Sequence, residues 1–240
     1  MSDVLIYIFI FFCIVASVVA LVIVLVKGRS GKGKAVKKQE TLNRKPVVTY
    51  RQPEETEYEI TPWKAAGNEG EWIAEGRIFS IIRENDHYCL NLRITYEGGR
   101  AELDSLIFNH NGVFVIEVKN WSGIIFGDEN DHTFTRVKNV RGEYIEEDLD
   151  NPLEQAEKAA GLLGKLLRSK GIDVHVEAYV YFVRENFQGD SDRILANVQE
   201  IDQVIHTSSG RYYDPETIEA IASWASGIVQ KPAANWISDY

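Results

Sequence analysis

A run of apolar residues near the N-terminus constrains this chain more than any other feature of its sequence. Val4 to Val26 are apolar except for Ser17, and none of them carries a charge. At about 1.5 Å of rise per residue, a helix of this length spans roughly 34 Å, enough to cross the hydrocarbon core of a bilayer. The sequence therefore predicts a transmembrane anchor over residues 1–27 and argues against a fully soluble protein.

A cleaved signal peptide is the main alternative for this apolar run. Signal peptides begin with positive charges and have a shorter apolar stretch, whereas only Asp3 is charged ahead of this one. The run also ends without the small-residue pattern at which signal peptides are cleaved. We therefore expect an uncleaved anchor.

Charge divides the chain sharply after the apolar run. Nine Lys and Arg residues and a single acid, Glu40, lie between Lys27 and Arg51, which gives this stretch a net charge of +8. Because the whole chain carries −10 and Asp3 contributes −1, residues 52–240 carry −17. A basic cluster beside a membrane helix is typical of its cytoplasmic flank, and it attracts anionic lipid headgroups. We expect a single-pass membrane protein whose C-terminal domain is cytoplasmic.

The rest of the chain is predicted to comprise a tether, one domain and a short tail. Residues 28–66 are rich in Gly, Lys, Pro and Glu, and their few apolar residues recur with no period. This composition predicts a flexible tether that is first basic and then acidic. Residues 67–230 have the patterning of a globular domain, and residues 231–240 are predicted to be a tail.

The domain opens with patterns of one helix and one strand. Apolar residues recur at helical spacing from Trp72 to Ile82, with Asn68 as the expected N-cap of this first helix. In the strand that follows, four apolar residues alternate with other residues, which predicts that they share one face of a sheet. These four residues are Tyr88, Leu90, Leu92 and Ile94.

The order of all the predicted elements indicates an α/β fold. Strands are predicted at 88–96, 101–108 and 113–116, a short hairpin at 124–126 and 133–137, a helix from Asn151-Pro152 to Gly171, a strand at 174–183, and helices at 198–206 and 215–229. Helices separated by strands imply a sheet that is covered on both faces. The expected core is an αβββαβ sandwich.

Three charged residues converge at one end of the second and third strands. Alternation places Glu117 and Lys119 on the same face of the third strand. Asp104, on the second strand, is about as far from the connecting turn as Glu117, so the two carboxylates are expected side by side. Such a group within Leu, Ile, Val and Phe needs an explanation, because charged residues are seldom buried without a partner.

Two interpretations of this group remain open from the residues alone. The first is an ion pair between Lys119 and either Glu117 or Asp104. The second is a divalent-cation site, because two carboxylates are hard oxygen ligands that suit Mg²⁺ and leave room for a substrate phosphate. A lysine beside such a site could activate water and offset the negative charge of a transition state. We favour the metal site.

Four motifs together resemble one known family. They are Gly67-x-x-Gly70-Glu71 at the start of a helix, Ala101-Glu102-Leu103-Asp104, the stretch from Gly112 to Asn120, and Asn151-Pro152-Leu153-x-Gln155. Over roughly residues 66–185 the chain is similar to the NERD (nuclease-related domain) family, which is placed in the PD-(D/E)xK nuclease superfamily. The resemblance implies a restriction-endonuclease-like αβββαβ fold, which is the order predicted above.

The resemblance also implies roles for five residues. Asp104 and Glu117 would bind Mg²⁺ or Mn²⁺, and Lys119 would be the catalytic lysine. Glu71 matches an additional acidic position that helps to bind metal or water, and Gln155 matches a polar position facing the site. The residue before Asp104 is a leucine instead of the proline in the superfamily's name.

Glu71 and Gln155 also have plainer interpretations. Glu71 could stabilise its helix through the dipole at the N-terminus, and Gln155 could be a solvated residue in a first turn. The negative charge of the domain opposes binding of a polyanion, since nonspecific affinity for nucleic acid rests on Lys and Arg contacts to phosphates. Six residues could form a local basic patch: Arg77, Arg83, Arg93, Arg100, Lys138 and Arg141.

Three functions are compatible with the sequence. The first is a membrane-anchored, metal-dependent nuclease that acts on nucleic acid, DNA more than RNA. The second is a catalytically silent nuclease fold that serves as a binding or scaffolding module at the cytoplasmic face of the membrane. The third is an envelope protein whose carboxylates bind a cation only for structure. The intact Asp104, Glu117 and Lys119 favour the first.

Overall fold

The computed structural model describes residues 48–49, 62–189, 191–207 and 210–229. These residues belong to one compact unit. The predicted anchor, the predicted tail and most of the predicted tether lie outside the described residues. Among the residues that are described, no helix is both long and apolar enough to span a bilayer.

The described elements form two sheets and four helices. In chain order they are β1 (Val48–Thr49), α1 (Pro62–Phe79), β2 (His87–Tyr96), β3 (Gly99–Asn109), β4 (Gly112–Lys119), β5 (Ile124–Phe126), β6 (Thr133–Val140), β7 (Glu143–Asp150), α2 (Pro152–Ser169), β8 (Val176–Phe182), β9 (Phe187–Gln188), β10 (Ile194–Leu195), α3 (Val198–His206) and α4 (Pro215–Val229). The larger sheet has the order β1-β2-β3-β4-β8-β10, and the smaller one has the order β7-β6-β5-β9.

The larger sheet contains the predicted core. β2, β3 and β4 are antiparallel neighbours, and β8 returns parallel to β4 after the crossover helix α2. The succession α1, β2, β3, β4, α2, β8 confirms the expected αβββαβ order and is consistent with an α/β nuclease-like fold. The helices at Val198–His206 and Pro215–Val229 also lie where the sequence predicted them.

Helix α1 begins earlier than the sequence predicted. It starts at Pro62, so Asn68 lies inside the helix, and the prediction of Asn68 as its N-cap is wrong. Proline is favoured in a first helical turn, because the N–H that it lacks would have no partner there. Glu71 consequently lies well past the first turn, where the helix dipole has little effect.

Helix α2 begins as predicted, and it lies on the face of the larger sheet that carries the side chain of Lys119. The side chain of Asn151 accepts a hydrogen bond from the backbone N–H of Leu153, and Pro152 occupies the first turn. Its apolar face packs on one side of the larger sheet, against residues such as Val115. Helix α1 covers the opposite side.

The four alternating apolar residues of β2 do not share one face, so that prediction is wrong. Tyr88 and Leu90 pack in the cluster on the α1 side, whereas Leu92 and Ile94 pack in the cluster on the α2 side. The residue between the two pairs, Asn91, has φ = 47°, which is the left-handed region. A residue in that conformation reverses the alternation of the strand, and all four apolar side chains are still buried.

The smaller sheet is built mainly from an insertion between β4 and α2. The predicted hairpin is confirmed, since β5 and β6 pair antiparallel with Ile124 opposite Val137. The sequence reasoning missed β7, which pairs with β6 and lies at an edge of this sheet. Five of its eight residues are acidic and all but Leu149 are exposed, so it lacks the apolar alternation that marks a strand.

Candidate active site

The two predicted metal ligands lie where β3 and β4 separate. The ladder between these strands runs from Asn109–Gly112 to Ser105–Ile116, and Asp104 and Glu117 occupy the next position along it. There the backbone N–H of Val118 donates to Asp104 Oδ2, at 2.8 Å. The side chain of Asp104 thus takes the place of a backbone acceptor, and the two carboxylates lie close together.

Lys119 connects the carboxylates to helix α2. Its Nζ donates to Glu117 Oε1 at 2.6 Å and to Gln155 Oε1 at 3.1 Å. Glu117 is only 3% exposed, and its bond to Lys119 shows that the two side chains share a face of β4, as alternation predicted. Gln155 is exposed to solvent, yet it holds the lysine from the first turn of α2.

Glu71 reaches the same site from helix α1. It is half-buried, and its Oε2 accepts a hydrogen bond from Asn91 Nδ2 at 3.3 Å. Burial raises the pKa of Glu71 to about 7, and the negative charges of Asp104 and Glu102 add to the effect. Since the helix dipole is weak at this position, the plainer interpretation of Glu71 has no support in the fold.

Negative charge exceeds positive charge at this site. Burial and the adjacent Glu117 raise the pKa of Asp104 to about 7. The pKa of Glu117 is also raised, mainly by burial, although Lys119 opposes the shift. Crowded, partly desolvated carboxylates hold their protons unless a cation compensates them.

The donor set at the strand ends fits a hard divalent cation. Asp104 and Glu117 each use one oxygen for the bonds above, and the other oxygen accepts no hydrogen bond from the described residues. Across the described part of the chain, no group of three or more His, Cys, Asp or Glu side chains is arranged to hold a metal ion. A cation here would therefore depend on two carboxylates and on water, which is how Mg²⁺ is often bound.

A groove of about 960 Å³ opens beside Lys119 and runs along the start of α2. Trp121 lines it and packs against Phe182, with 5.7 Å between the ring centroids. The groove is also lined by charged and polar residues that were not predicted as part of the site. The ionisable ones are Arg100, Glu102, His132, Asp150, Glu154 and Lys158.

The six basic residues proposed as a patch have different surroundings. Arg100 lines the groove, and Arg93 pairs with Glu102 at 3.1 Å. Three more of the six form ion pairs, each with a different acid: Arg77 with Glu185, Arg83 with Asp202, and Lys138 with Glu147. Of these six residues, Arg100 is the one that lines the groove. Lys158 and His132, which were not proposed for the patch, also line it.

The fold is a mixed sheet between helices, with two carboxylates and a lysine where two of its strands separate, and it is consistent with an α/β nuclease-like fold. Comparison with protein families agrees. Residues 66–183 match the sequence model of the NERD family, described as the nuclease-related domain. The match includes all five candidate site residues. No curated protein and no solved structure matches the chain.

Proposed function

We propose that this protein is a Mg²⁺- or Mn²⁺-dependent nuclease that hydrolyses phosphodiester bonds of DNA or RNA, with DNA the preferred substrate. One observation carries the proposal: Asp104 and Glu117 lie together beside Lys119 at the ends of two strands, and the pKa values of both acids and of the nearby Glu71 are raised. A site with this surplus of carboxylates is suited to a divalent cation. The match to a nuclease-related domain supports the same conclusion.

Each side chain of the site has a defined part in this proposal. Asp104 and Glu117 would hold the cation through their remaining oxygens. When bound, the ion would supply Lewis-acid stabilisation of the phosphoryl oxygens and a more acidic water. Lys119, fixed by Glu117 and Gln155, keeps one N–H donor for a phosphate oxygen and offsets the charge that develops in the transition state.

The groove beside Lys119 is the proposed path of the nucleic acid. Arg100 and Lys158 on its walls suit contacts with phosphates, and Trp121 is an aromatic surface on which a base could stack. The acidic groove residues, together with the −17 of residues 52–240, oppose a polyanion. We therefore expect activity to fall steeply as the salt concentration rises.

Cleavage by the full-length protein, purified in detergent, tests this function. We expect cutting of single- or double-stranded DNA, or of RNA, with Mg²⁺ or Mn²⁺ at low salt, and none in EDTA. A gel assay with end-labelled substrates measures it. Absence of metal-dependent cutting of every substrate, together with no Mn²⁺ binding by calorimetry, would contradict the proposal. The protein would then be a silent nuclease fold, a role that its net negative charge favours.

We also propose that Val4–Val26 anchors the protein in a membrane with residues 27–240 in the cytoplasm. The length of the run, its lack of charge and the +8 flank support this orientation. A reporter fused after Tyr240 should be active only if it functions in the cytoplasm, and a reporter that functions only outside should be silent. The opposite pair of results would overturn the proposed topology.

A further inference from the structure

Asn91 has a left-handed backbone conformation, which is unusual for a residue inside a β-strand. Among the described residues, four other than glycine have positive φ: Asn91, Glu97, Arg141 and Glu185. Glu97 and Arg141 lie in turns and Glu185 directly follows one, where such angles are common, whereas Asn91 lies inside β2. Left-handed residues in the middle of a strand are costly, and they are concentrated at functional sites.

The unusual conformation occurs directly opposite a candidate metal ligand. Leu90 pairs with Ser105 and Leu92 pairs with Leu103, so Asn91 and Asp104 face each other at a position where the ladder has no pair. β2 turns its side chains to the other face of the sheet here, as the two apolar clusters show. The interruption frees Asp104 to accept the hydrogen bond from Val118 and places the side chain of Asn91 toward α1.

The side chain of Asn91 has one partner in the site, which is Glu71. The bond from Asn91 Nδ2 to Glu71 Oε2, at 3.3 Å, joins β2 to α1. It uses one carboxylate oxygen of Glu71 and leaves the other for a ligand. Glu71 is half-buried, close to other acids that repel it, so it needs a donor to hold it in place.

We propose that Asn91 is a positioning residue of this site: it holds the Glu71 carboxylate toward the position of the divalent cation, where Glu71 binds the ion or one of its waters. The inference rests on the proposed function. It assigns a purpose to the left-handed residue, because this conformation turns the Asn91 amide toward α1 while β2 continues in the sheet.

Replacement of Asn91 by glycine separates positioning from folding. Glycine adopts positive φ without strain, so Asn91→Gly can keep the backbone conformation while removing the side chain that carries the amide. We expect Mn²⁺ binding to the full-length protein, measured by calorimetry, to weaken by about 10–100-fold, as is typical when a partner of a metal ligand is lost. The melting temperature should change no more than in Glu97→Gly, a control that also places glycine at a positive-φ position, in an exposed turn of the same hairpin.

A double-mutant cycle decides whether Asn91 acts through Glu71. In the Glu71→Ala background, Asn91→Gly should weaken Mn²⁺ binding no further, whereas two independent contributions would add. A crystal structure of Asn91→Gly should show the Glu71 carboxylate displaced, a readout that does not require metal. Additive effects, an unmoved Glu71, or unchanged Mn²⁺ affinity in a protein whose wild type binds Mn²⁺ would overturn the inference alone. A wild type that binds no Mn²⁺ would overturn the proposed function and this role together.

Discussion

Asp104→Asn is expected to abolish both Mn²⁺ binding and cleavage. An amide is a much poorer ligand than a carboxylate for a hard divalent cation, and one of only two close carboxylates would be lost. Mn²⁺ affinity should fall by more than about 100-fold, because even the loss of a group that only supports a metal ligand costs 10–100-fold. Calorimetry measures the binding, and the cleavage assay should give only the background seen in EDTA.

The stability of Asp104→Asn provides the control for its folding. Burial raises the pKa of Asp104 from 3.8 to about 7, so between these values the folded protein binds more protons than the unfolded chain. Stability without metal is therefore lost as pH rises through this window. At pH 8 in EDTA, Asp104→Asn should melt at least as high as wild type, with a smaller advantage at pH 5. A variant that melts well below wild type at pH 8 would show that the lost binding reflects misfolding.

Lys119→Ala is expected to slow cleavage by about 10²–10³-fold, as when one preorganised group that stabilises a transition-state charge is removed. The two carboxylates remain, so the variant should still bind Mn²⁺. Single-turnover cleavage at saturating Mn²⁺ measures the rate, and calorimetry confirms that the ion is bound.

A second lysine provides the matched comparison. Lys158 lines the same groove but is exposed and pairs only with Glu154, at 3.3 Å, among the described residues. Lys158→Ala should leave the single-turnover rate nearly unchanged and weaken substrate binding modestly, in a manner that depends on salt. Equal losses of rate in the two variants would mean that Lys119 contributes only general positive charge.

Local chemistry made part of this fold predictable. Asn151 and Pro152 start α2 where capping rules place it, since both act through the first turn alone. The juxtaposition of Asp104 and Glu117 followed from their equal distances from one tight turn, and the shared face of Glu117 and Lys119 followed from alternation. These inferences needed only the geometry of single elements or of one hairpin.

The errors occurred where distant parts of the chain determine the local conformation. Nothing in the alternation of β2 reveals that Asn91 turns the strand over, because both faces of this sheet are buried and apolar residues fit either one. The tolerance of asparagine for left-handed angles was the one available signal. Strand β7 was missed because its pairing with β6 stabilises an acidic segment that has no apolar pattern of its own.

The acidic composition of β7 has a consequence for self-association. An edge strand exposes backbone groups that invite another edge to pair with it, and Tyr144 and Ile145 would add apolar contacts. Antiparallel pairing of β7 with the same strand of a second molecule would bring two rows of carboxylates within about 5 Å of each other, where like charges repel. The acidic composition of β7 therefore disfavours growth of the sheet at this edge by pairing between copies of the chain.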